Sequence, residues 1–311
     1  MRNIFKKIFK TKVSLIDSLP PIKGKAVANF PLRKKTWFGV GGPAEVYVEP
    51  ADIDDLSKLL QFMPSVPVTI LGGGSNVLIR DGGIAGLTIH LGKGFQHISC
   101  DGDTIICDGG VSLIRLAQVA AKQGIAGFEF LSGIPGTVGG AVRMNAGAHG
   151  RCLEDILISL TVVTGDGDIR EINPKEMEVF GYRMCYLPNS WIFVRAVFKG
   201  TKGRPEDILA TMADYKRKRE TNQPTGVKTA GSTFKNPQGL QAWALIDKAG
   251  FRGYRKGGVM VSEKHTNFLI NLGDATAQDI ESLGEEIREK VWNETGVELE
   301  WEVKKLGVHK E

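Results

Sequence analysis

Two glycine-rich segments are the parts of this chain most able to hold a reactive ligand. Ser132–Gly150 reads SGIPGTVGGAVRMNAGAHG, and residues 70–79 read ILGGGSNVLI after an apolar run that predicts a buried strand. Glycine lacks a Cβ and tolerates positive φ, so such a backbone can pass close to a ligand. Two such segments in one half of the chain predict a polyanion, such as a dinucleotide, held by main-chain N–H groups. Either segment alone is more typical of tight turns.

Neither segment carries a common nucleotide-binding motif. Neither opens a helix with G-x-G-x-x-G, and residues 72–76, GGGSN, lack the Gly-Lys-Ser/Thr of a P-loop. The sequence therefore disfavours NAD in a Rossmann site and ATP hydrolysis. It leaves a dinucleotide held by loops between strands.

A polar cluster at residues 230–237, AGSTFKNP, could act on a bound substrate. Ser232 lies in this loop with Lys235 and Asn236, which are groups that bind anions. A nucleophilic serine needs a nearby base, and no local histidine or G-x-S-x-G turn is present. Proton donation is chemically easier for Ser232, although a serine that caps a turn would explain the motif by itself.

Two more segments contribute charged groups. FGYRMCY at 180–186 places Arg183 between aromatic residues, where its guanidinium could bind a carboxylate through two hydrogen bonds or simply pack. LEWEV at 299–303 alternates acidic and apolar residues, which puts Glu300 and Glu302 on one strand face. One of these carboxylates could be partly buried with a raised pKa, while a solvated strand face is the simpler interpretation.

The composition is typical of a soluble globular protein of about two domains. The chain has 311 residues, of which 42% are hydrophobic and 24% charged, and its net charge is +5. Much of the positive charge lies in MRNIFKKIFKTK at the start, which could touch an anionic surface but is more typical of a solvated terminus. No secretory signal, membrane span or metal-ligand spacing is evident, so the four cysteines predict reduced thiols in a cytoplasmic protein.

Hydrophobic periodicity predicts the elements that position these groups. Residues 46–74 read as strand, helix, strand and glycine loop, and GTKGRP at 200–205 is the main predicted boundary. The predicted strands include 46–48, 68–71, 87–90, 104–107, 192–198, 268–271 and 297–303. The predicted helices follow Asp52 and Ser112 and then cover 206–218, 240–249 and 277–295.

The order of seven motifs resembles the flavin-dependent UDP-N-acetylenolpyruvoylglucosamine reductases of bacterial peptidoglycan synthesis. The motifs are FGVGGPAE, LGGGSNVLI, SGIPGTVGGAVRMNAGAHG, GYR, AGSTFKNP, GGVMVSEKH and LEWEV. The resemblance implies an α+β fold, with a two-part FAD-binding domain of the vanillyl-alcohol-oxidase type and a C-terminal α+β substrate-binding domain. The implied limits are a basic tail at 1–16, the FAD-binding domain at 17–203 (subdomains 17–85 and 86–203), the substrate-binding domain at 204–302 and a tail at 303–311.

The resemblance also implies the reaction and the residues that carry it. NADPH would reduce FAD, and hydride would pass from flavin N5 to C3 of an enolpyruvyl group. Arg183 and Glu302 match the family's catalytic arginine and glutamate, and Ser232 matches the serine that gives its proton to C2. Tyr182, Lys235 and Asn236 would bind the substrate, and no metal is implied. The residues matched to FAD binding are Leu71, Gly72, Gly73, Gly74, Ser75, Asn76, Gly133, Ile134, Pro135, Gly136, Gly139, Gly140, Asn145 and Gly147.

The chain resembles the shorter form of the family, which lacks an inserted loop with a tyrosine. We expect non-covalent FAD, although His149 and Cys152 lie near the expected flavin, and a monomer that acts on a UDP-sugar. No nucleic-acid partner and no integral membrane segment are expected.

The closest rival is a flavin oxidase of the same fold that acts on a small alcohol or sugar. It is disfavoured because alcohol oxidation needs a base rather than an acid at C2. A basic-tailed nucleotide- or nucleic-acid-binding protein without catalysis is the rival from another class.

Overall fold

The computed structural model describes residues 14–176 and 178–311. The positive charges of the predicted basic tail lie outside the described residues. The helices are α1 (Ile53–Phe62), α2 (Leu113–Lys122), α3 (Val138–Arg143), α4 (Pro205–Asn222), α5 (Ala242–Lys248) and α6 (Ala277–Thr295). The strands are β1 (Lys25–Pro31), β2 (Pro43–Glu49), β3 (Val68–Leu71), β4 (Val77–Ile79), β5 (Ile84–His90), β6 (Ile98–Asp101), β7 (Thr104–Asp108), β8 (Ile125–Ala126), β9 (Gly147–Ala148), β10 (Arg151–Cys152), β11 (Leu157–Val163), β12 (Ile169–Ile172), β13 (Phe180–Gly181), β14 (Met184–Cys185), β15 (Ile192–Lys199), β16 (Thr201–Lys202), β17 (Arg255–Lys256), β18 (Val259–Val261), β19 (Leu269–Asn271) and β20 (Lys304–Leu306).

The first sheet has the order β1-β2-β5-β3, in which β2, β5 and β3 are parallel and β1 is antiparallel. Helix α1 begins where the side chain of Asp52 accepts a hydrogen bond from the main-chain N–H of Asp55, as the sequence predicts. Its buried leucines pack on Val46, Val48 and Leu87 of this sheet. The crossover through α1 places β3 at the edge of the sheet, so residues 72–76 emerge from the carboxyl end of a parallel strand. Only Leu71 of this strand is buried, whereas the sequence predicts a buried strand.

The second sheet is antiparallel, with the order β12-β11-β15-β7-β6. Helix α2 is capped by Ser112 as predicted, and it buries Leu113, Leu116, Ala117 and Ala120 in the same core as this sheet. Helix α3 lies within the glycine-rich segment 132–150 and begins right after Thr137. The second sheet therefore supports the second glycine-rich segment, as the first sheet supports residues 72–76.

The C-terminal part packs α5 and α6 with the three-stranded sheet β17-β18-β19. Helix α6 has the predicted bounds because Thr276 and Asp279 form a capping box, and Gly296 ends the helix in the left-handed region at φ 68°. Its buried face contains Ile280, Leu283, Ile287 and Val291. None of the helices in the described residues is both long and apolar enough to cross a membrane.

Three elements differ from the domain limits that the resemblance implied. Strand β5 belongs to the first sheet along its whole length, to residue 90, so it crosses the subdomain limit at 85/86. Helix α4 follows the limit at 203/204, yet its Met212 and Tyr215 pack against the core of the second sheet. The segment predicted as a C-terminal tail contains β20, which pairs in parallel with β4.

The predicted strand at 297–303 is wrong. The structure has only an isolated bridge there, between Phe234 and Trp301. The Trp301 ring occupies the space beside Gly284 of α6, where a Cβ would lie 2.2 Å from the ring. Packing of this side chain on the helix takes the place of a regular strand.

Charged contacts between β4 and α6 join the two parts of the molecule. Arg80, directly after β4, donates two hydrogen bonds to Glu281, at 2.8 and 2.9 Å, and a third to the carbonyl of Gly307. Lys305 lies 3.2 Å from the same carboxylate. Asp81 accepts hydrogen bonds from the first N–H groups of α6. Hydrogen bonds from Arg80 and Lys305 lower the pKa of the nearly buried Glu281 to about 2.

We predict that Glu281→Gln destabilises the protein at neutral pH and much less in acid. A pKa lowered from 4.5 to about 2 corresponds to about 3 kcal/mol of stability. This stability is fully present above pH 4.5 and is lost as the pH falls towards 2, because the carboxylate is then protonated in both states. Urea unfolding at pH 7 and pH 3 measures the difference, and Glu289→Gln on the exposed face of α6 is the control. Equal losses at both pH values would contradict the prediction.

Candidate functional site

The two glycine-rich segments are in direct backbone contact. A Cβ at Gly73 would lie 2.8 Å from the Cα of Gly136, so a larger residue at position 73 would push the segments apart. The hydroxyl of Ser75 donates a 3.0 Å hydrogen bond to the carbonyl of Pro135. The two loops therefore form one continuous wall of backbone, in which side chains occupy little space.

Several main-chain N–H groups of this wall have no hydrogen-bond partner among the described residues. Among the described residues, no hydrogen bond uses the N–H groups of residues 72–76 or of residues 136 and 137. Backbone N–H groups that are half-buried and unpaired are rare in folded proteins and are satisfied by a ligand or water. Successive donors of this kind bind the phosphate oxygens of nucleotides, and the residues present therefore fit the diphosphate of FAD.

Two of the residues matched to FAD binding make hydrogen bonds within the protein. The side-chain amide of Asn145 donates to the Glu154 carboxylate and to the carbonyl of Gly181, at 3.2 Å each. The carbonyl of Gly147 accepts a 2.9 Å hydrogen bond from Arg183. These contacts connect the second glycine-rich segment to the hairpin that carries Arg183.

Arg183 lies at the tip of a minimal hairpin. Strands β13 and β14 are joined by Tyr182 and Arg183 alone, and Arg183 adopts φ 55°, in the left-handed region. This backbone conformation costs a residue with a Cβ about 1 kcal/mol or more. The side chain is thereby directed to Glu302, whose Oε1 lies 3.1 Å from the Arg183 Nε.

Glu302 is held by hydrogen bonds with the first glycine-rich loop and with the Ser232 loop. Its main-chain N–H donates to the carbonyl of Thr233 at 2.8 Å, and its carbonyl accepts a 3.2 Å hydrogen bond from the Asn76 amide. Burial raises the pKa of the Glu302 carboxyl, and the positive charges of Arg183 and Lys235 offset part of that rise. The group is therefore protonated more readily than an exposed glutamate.

Exposure distinguishes the two glutamates of LEWEV. The side chain of Glu302 is 16% exposed and that of Glu300 is 70% exposed. Glu300 accepts a 2.5 Å hydrogen bond from Lys235. The geometry therefore agrees with the choice of Glu302, rather than Glu300, as the functional carboxylate.

Ser232 precedes a segment that is fixed on two sides. Asn267 is buried, and its side-chain amide accepts from the main-chain N–H of Phe234 at 2.9 Å and donates to the carbonyl of Phe234 at 2.8 Å. The main-chain carbonyl of Asn267 accepts from the N–H of Thr233. Thr233 in turn accepts from Glu302, as described above. The half-buried Ser232 hydroxyl makes no hydrogen bond to another described residue. It remains able to donate a proton.

The three residues matched to substrate binding have different surroundings. Lys235 is buried and paired with Glu300. Asn236 is exposed, and its side-chain oxygen accepts from the main-chain N–H of Ala242 at the start of α5. Tyr182 is 56% exposed, and the centre of its ring lies 5.1 Å from the guanidinium carbon of Arg183. Of the three, Tyr182 has the side chain most available to a ligand, and Asn236 keeps only its amide nitrogen.

Sequence reasoning missed Arg143 and Asn267. Arg143 is the one formally charged residue in the segment 132–150, and this isolation was a signal that the sequence offered. Its guanidinium donates to the carbonyls of three residues in the loop after Arg183. Asn267 gave no such signal, because its role depends on a segment 33 residues away.

Family models match both parts of the chain. The model described as "FAD binding domain" matches residues 44–173, and the one described as "UDP-N-acetylenolpyruvoylglucosamine reductase, C-terminal domain" matches residues 223–306. The reductase of that name from Parvibaculum lavamentivorans is 48% identical over 96% of this chain and 96% of its own length. That from Paramagnetospirillum magneticum is 48% identical over 95% of this chain and 96% of its own length.

This chain belongs to the UDP-N-acetylenolpyruvoylglucosamine reductase family. The crystal structure of the reductase from Thermus caldophilus is 36% identical and superposes with a TM-score of 0.80, covering 92% of this chain and all of that one. The predicted family and the predicted α+β fold, with an FAD-binding domain ahead of a substrate-binding domain, are confirmed.

We predict that Arg183→Gly is more stable than Arg183→Ala by about 1 kcal/mol, although both lose the same side-chain contacts. Only alanine keeps a Cβ at φ 55°. Urea unfolding of the two variants measures the difference. At Tyr182, where φ is not positive, the order should reverse, with Ala more stable than Gly because glycine loses more backbone entropy on folding. An alanine variant at 183 as stable as the glycine variant would contradict the strain.

Proposed function

We propose that this chain reduces the enolpyruvyl group of UDP-N-acetylglucosamine enolpyruvate to give UDP-N-acetylmuramate, a peptidoglycan precursor. FAD is the cofactor and NADPH the reductant, as in the family to which the chain belongs. The observation that carries the proposal is the convergence of three distant segments. Arg183 is ion-paired to Glu302, and Glu302 is hydrogen-bonded to the residue that follows Ser232.

The FAD site is proposed to consist of residues 71–76 with residues 133–136, 139–140, 145 and 147. The main-chain N–H groups of residues 72–76 and 136, which have no partner among the described residues, supply donors for a diphosphate. When bound, FAD takes hydride from NADPH and supplies it to C3 of the substrate. The residues described below provide the position of the substrate, the stabilisation of charge and the proton.

Arg183 is proposed to bind the substrate carboxylate and to stabilise the negative charge that develops next to it. Addition of hydride at C3 leaves an electron pair at C2, which is delocalised into the carboxylate as an enolate. Glu302, whose pKa is raised by burial, is proposed to donate a hydrogen bond to the developing enol while protonated. Ser232 gives its proton to C2, which completes the saturated product.

The remaining expectations belong to the same proposal. Tyr182, Lys235 and Asn236 would contact the UDP-sugar, and the protein would act as a cytoplasmic monomer without a nucleic-acid partner. FAD would be non-covalent. In support of this, the ring of His149 is stacked on Tyr215 with a centroid distance of 3.8 Å.

The proposed function is tested on the purified protein. We expect a yellow protein whose flavin is bleached by NADPH under anaerobic conditions and is reoxidised by the enolpyruvyl sugar nucleotide. A protein that cannot be reconstituted with FAD would overturn the proposal. So would a yellow protein that ignores the sugar nucleotide but is reduced by a small alcohol or sugar, which is the behaviour of an oxidase.

Replacement of Ser232 by alanine should separate the two half-reactions. Flavin reduction by NADPH should keep its rate, whereas reoxidation by the sugar nucleotide should slow by about 10²–10⁴-fold, the usual contribution of general acid catalysis. Stopped-flow absorbance of the flavin follows both steps. The control is Thr229→Val, which removes a nearby buried hydroxyl that has no hydrogen-bond partner in the described residues. Equal losses in both steps would remove Ser232 from the role of proton donor.

A further inference from the structure

The hairpin that carries Arg183 is too small to hold its own shape. Its ladder contains two residue pairs, Phe180 with Cys185 and Gly181 with Met184, and its turn includes the strained Arg183. An isolated two-stranded hairpin is marginally stable in water even when it is longer than this one. A strained backbone persists only where the surrounding structure determines it. The position of the Arg183 guanidinium must therefore be fixed from outside the hairpin.

Apart from the bond to the Glu302 carboxylate, the side-chain hydrogen bonds that tie this region to the rest of the described residues involve one short segment, 143–147. Arg143, the last residue of α3, donates hydrogen bonds of 2.7, 2.9 and 2.8 Å to the carbonyls of Leu187, Pro188 and Trp191. Its guanidinium also lies 4.6 Å from the ring centre of Phe193 on β15. Asn145 donates to Gly181 at the other end of the hairpin. These residues follow one another in the glycine-rich segment whose N-terminal part is proposed to bind FAD.

We propose that Arg143, assisted by Asn145, is a positioning residue for the reaction. It fixes the hairpin and the loop that follows it, residues 180–191, so that Arg183 meets the substrate carboxylate. The inference rests on the proposed function. Arg143 has no carboxylate partner among the described residues, and its guanidinium donates instead to three main-chain carbonyls. Only a guanidinium presents donors in such a fork, and the single ammonium of a lysine cannot reach all three acceptors. The glycine-rich segment thus orients the catalytic arginine relative to the cofactor site.

The test compares Arg143→Lys with wild type and with Arg151→Lys. Arg151 is a matched control because it also lies over a phenylalanine ring, that of Phe130, but its hydrogen bond goes to Asp155 and not to residues 180–191. For Arg143→Lys we expect turnover of the sugar nucleotide per bound flavin to fall about 10- to 100-fold, as misplacement of a catalytic group by about 1 Å would cause. The rate of flavin reduction by NADPH should stay at the wild-type value. Arg151→Lys should match wild type in both steps.

Hydrogen exchange supplies the measurement that does not depend on turnover. Amides in peptides covering 179–191 should exchange about tenfold faster in Arg143→Lys, whereas the amides of β7, β11 and β15 should keep their protection. Faster exchange across the whole second sheet, or unchanged turnover per bound flavin, would overturn the proposal. If Arg143→Lys does not fold, Asn145→Asp takes its place: the aspartate still accepts from the main-chain N–H of Glu154, but it can donate neither to Gly181 nor to the Glu154 carboxylate. Asn145→Asp with wild-type exchange at 179–191 would equally overturn it.

The two proposals fail in different ways. A wild-type protein without turnover of the sugar nucleotide would contradict the proposed function. Exchange of the hairpin amides would still decide whether Arg143 holds the loop. Normal wild-type turnover with an unaffected Arg143→Lys variant would contradict the positioning role alone.

Discussion

The ion pair between Arg183 and Glu302 is the contact on which the rest of the structure depends. Charges lose hydration when they are buried, and a buried pair persists only if further hydrogen bonds complete it. Here the carbonyl of Gly147 accepts from the arginine, and the Asn76 amide donates to the main-chain carbonyl of the glutamate. Each partner is thus held by a different glycine-rich loop. The wall of backbone and the Arg183–Glu302 pair are consequently parts of one hydrogen-bonded unit rather than neighbouring sites.

This unit requires the two halves of the chain to be docked. Glu302 belongs to the C-terminal part and Arg183 to the part that contains the second sheet. The docking is achieved by β20 on β4 and by the contacts of Arg80 with Glu281. Two effects act on the Glu302 carboxyl in opposite directions: burial raises its pKa, and the nearby cations lower it. The net result is a raised pKa, so this carboxyl takes up a proton more readily than an exposed glutamate does while it stays next to a permanent cation. The role proposed for Glu302 beside an incipient enolate requires this property.

Local features of the fold were predictable from the sequence, and distant pairings were not. Helix α6 was predicted with its observed bounds because Thr276, Asp279 and Gly296 act within one turn of its ends. The same holds for the Ser112 cap of α2. By contrast, β20 was predicted as a tail, since a three-residue strand takes its stability from its partner β4 and shows no periodicity of its own. The strand predicted at 297–303 failed because the packing of Trp301 against Gly284 overrides the alternation of LEWEV.

The pairing of β20 with β4 sets the order in which the molecule can be completed during synthesis. Strand β4 is the direct continuation of the first glycine-rich loop, and β20 is its one ladder partner among the described residues. More than 220 residues separate the two strands, so β4 stays unpaired while the intervening helices and sheets are made. Domains generally fold from the N-terminus as the chain leaves the ribosome. In this chain β4 gains its ladder partner only after residues 304–306 have been made, so the strand that continues the first glycine-rich loop is completed late.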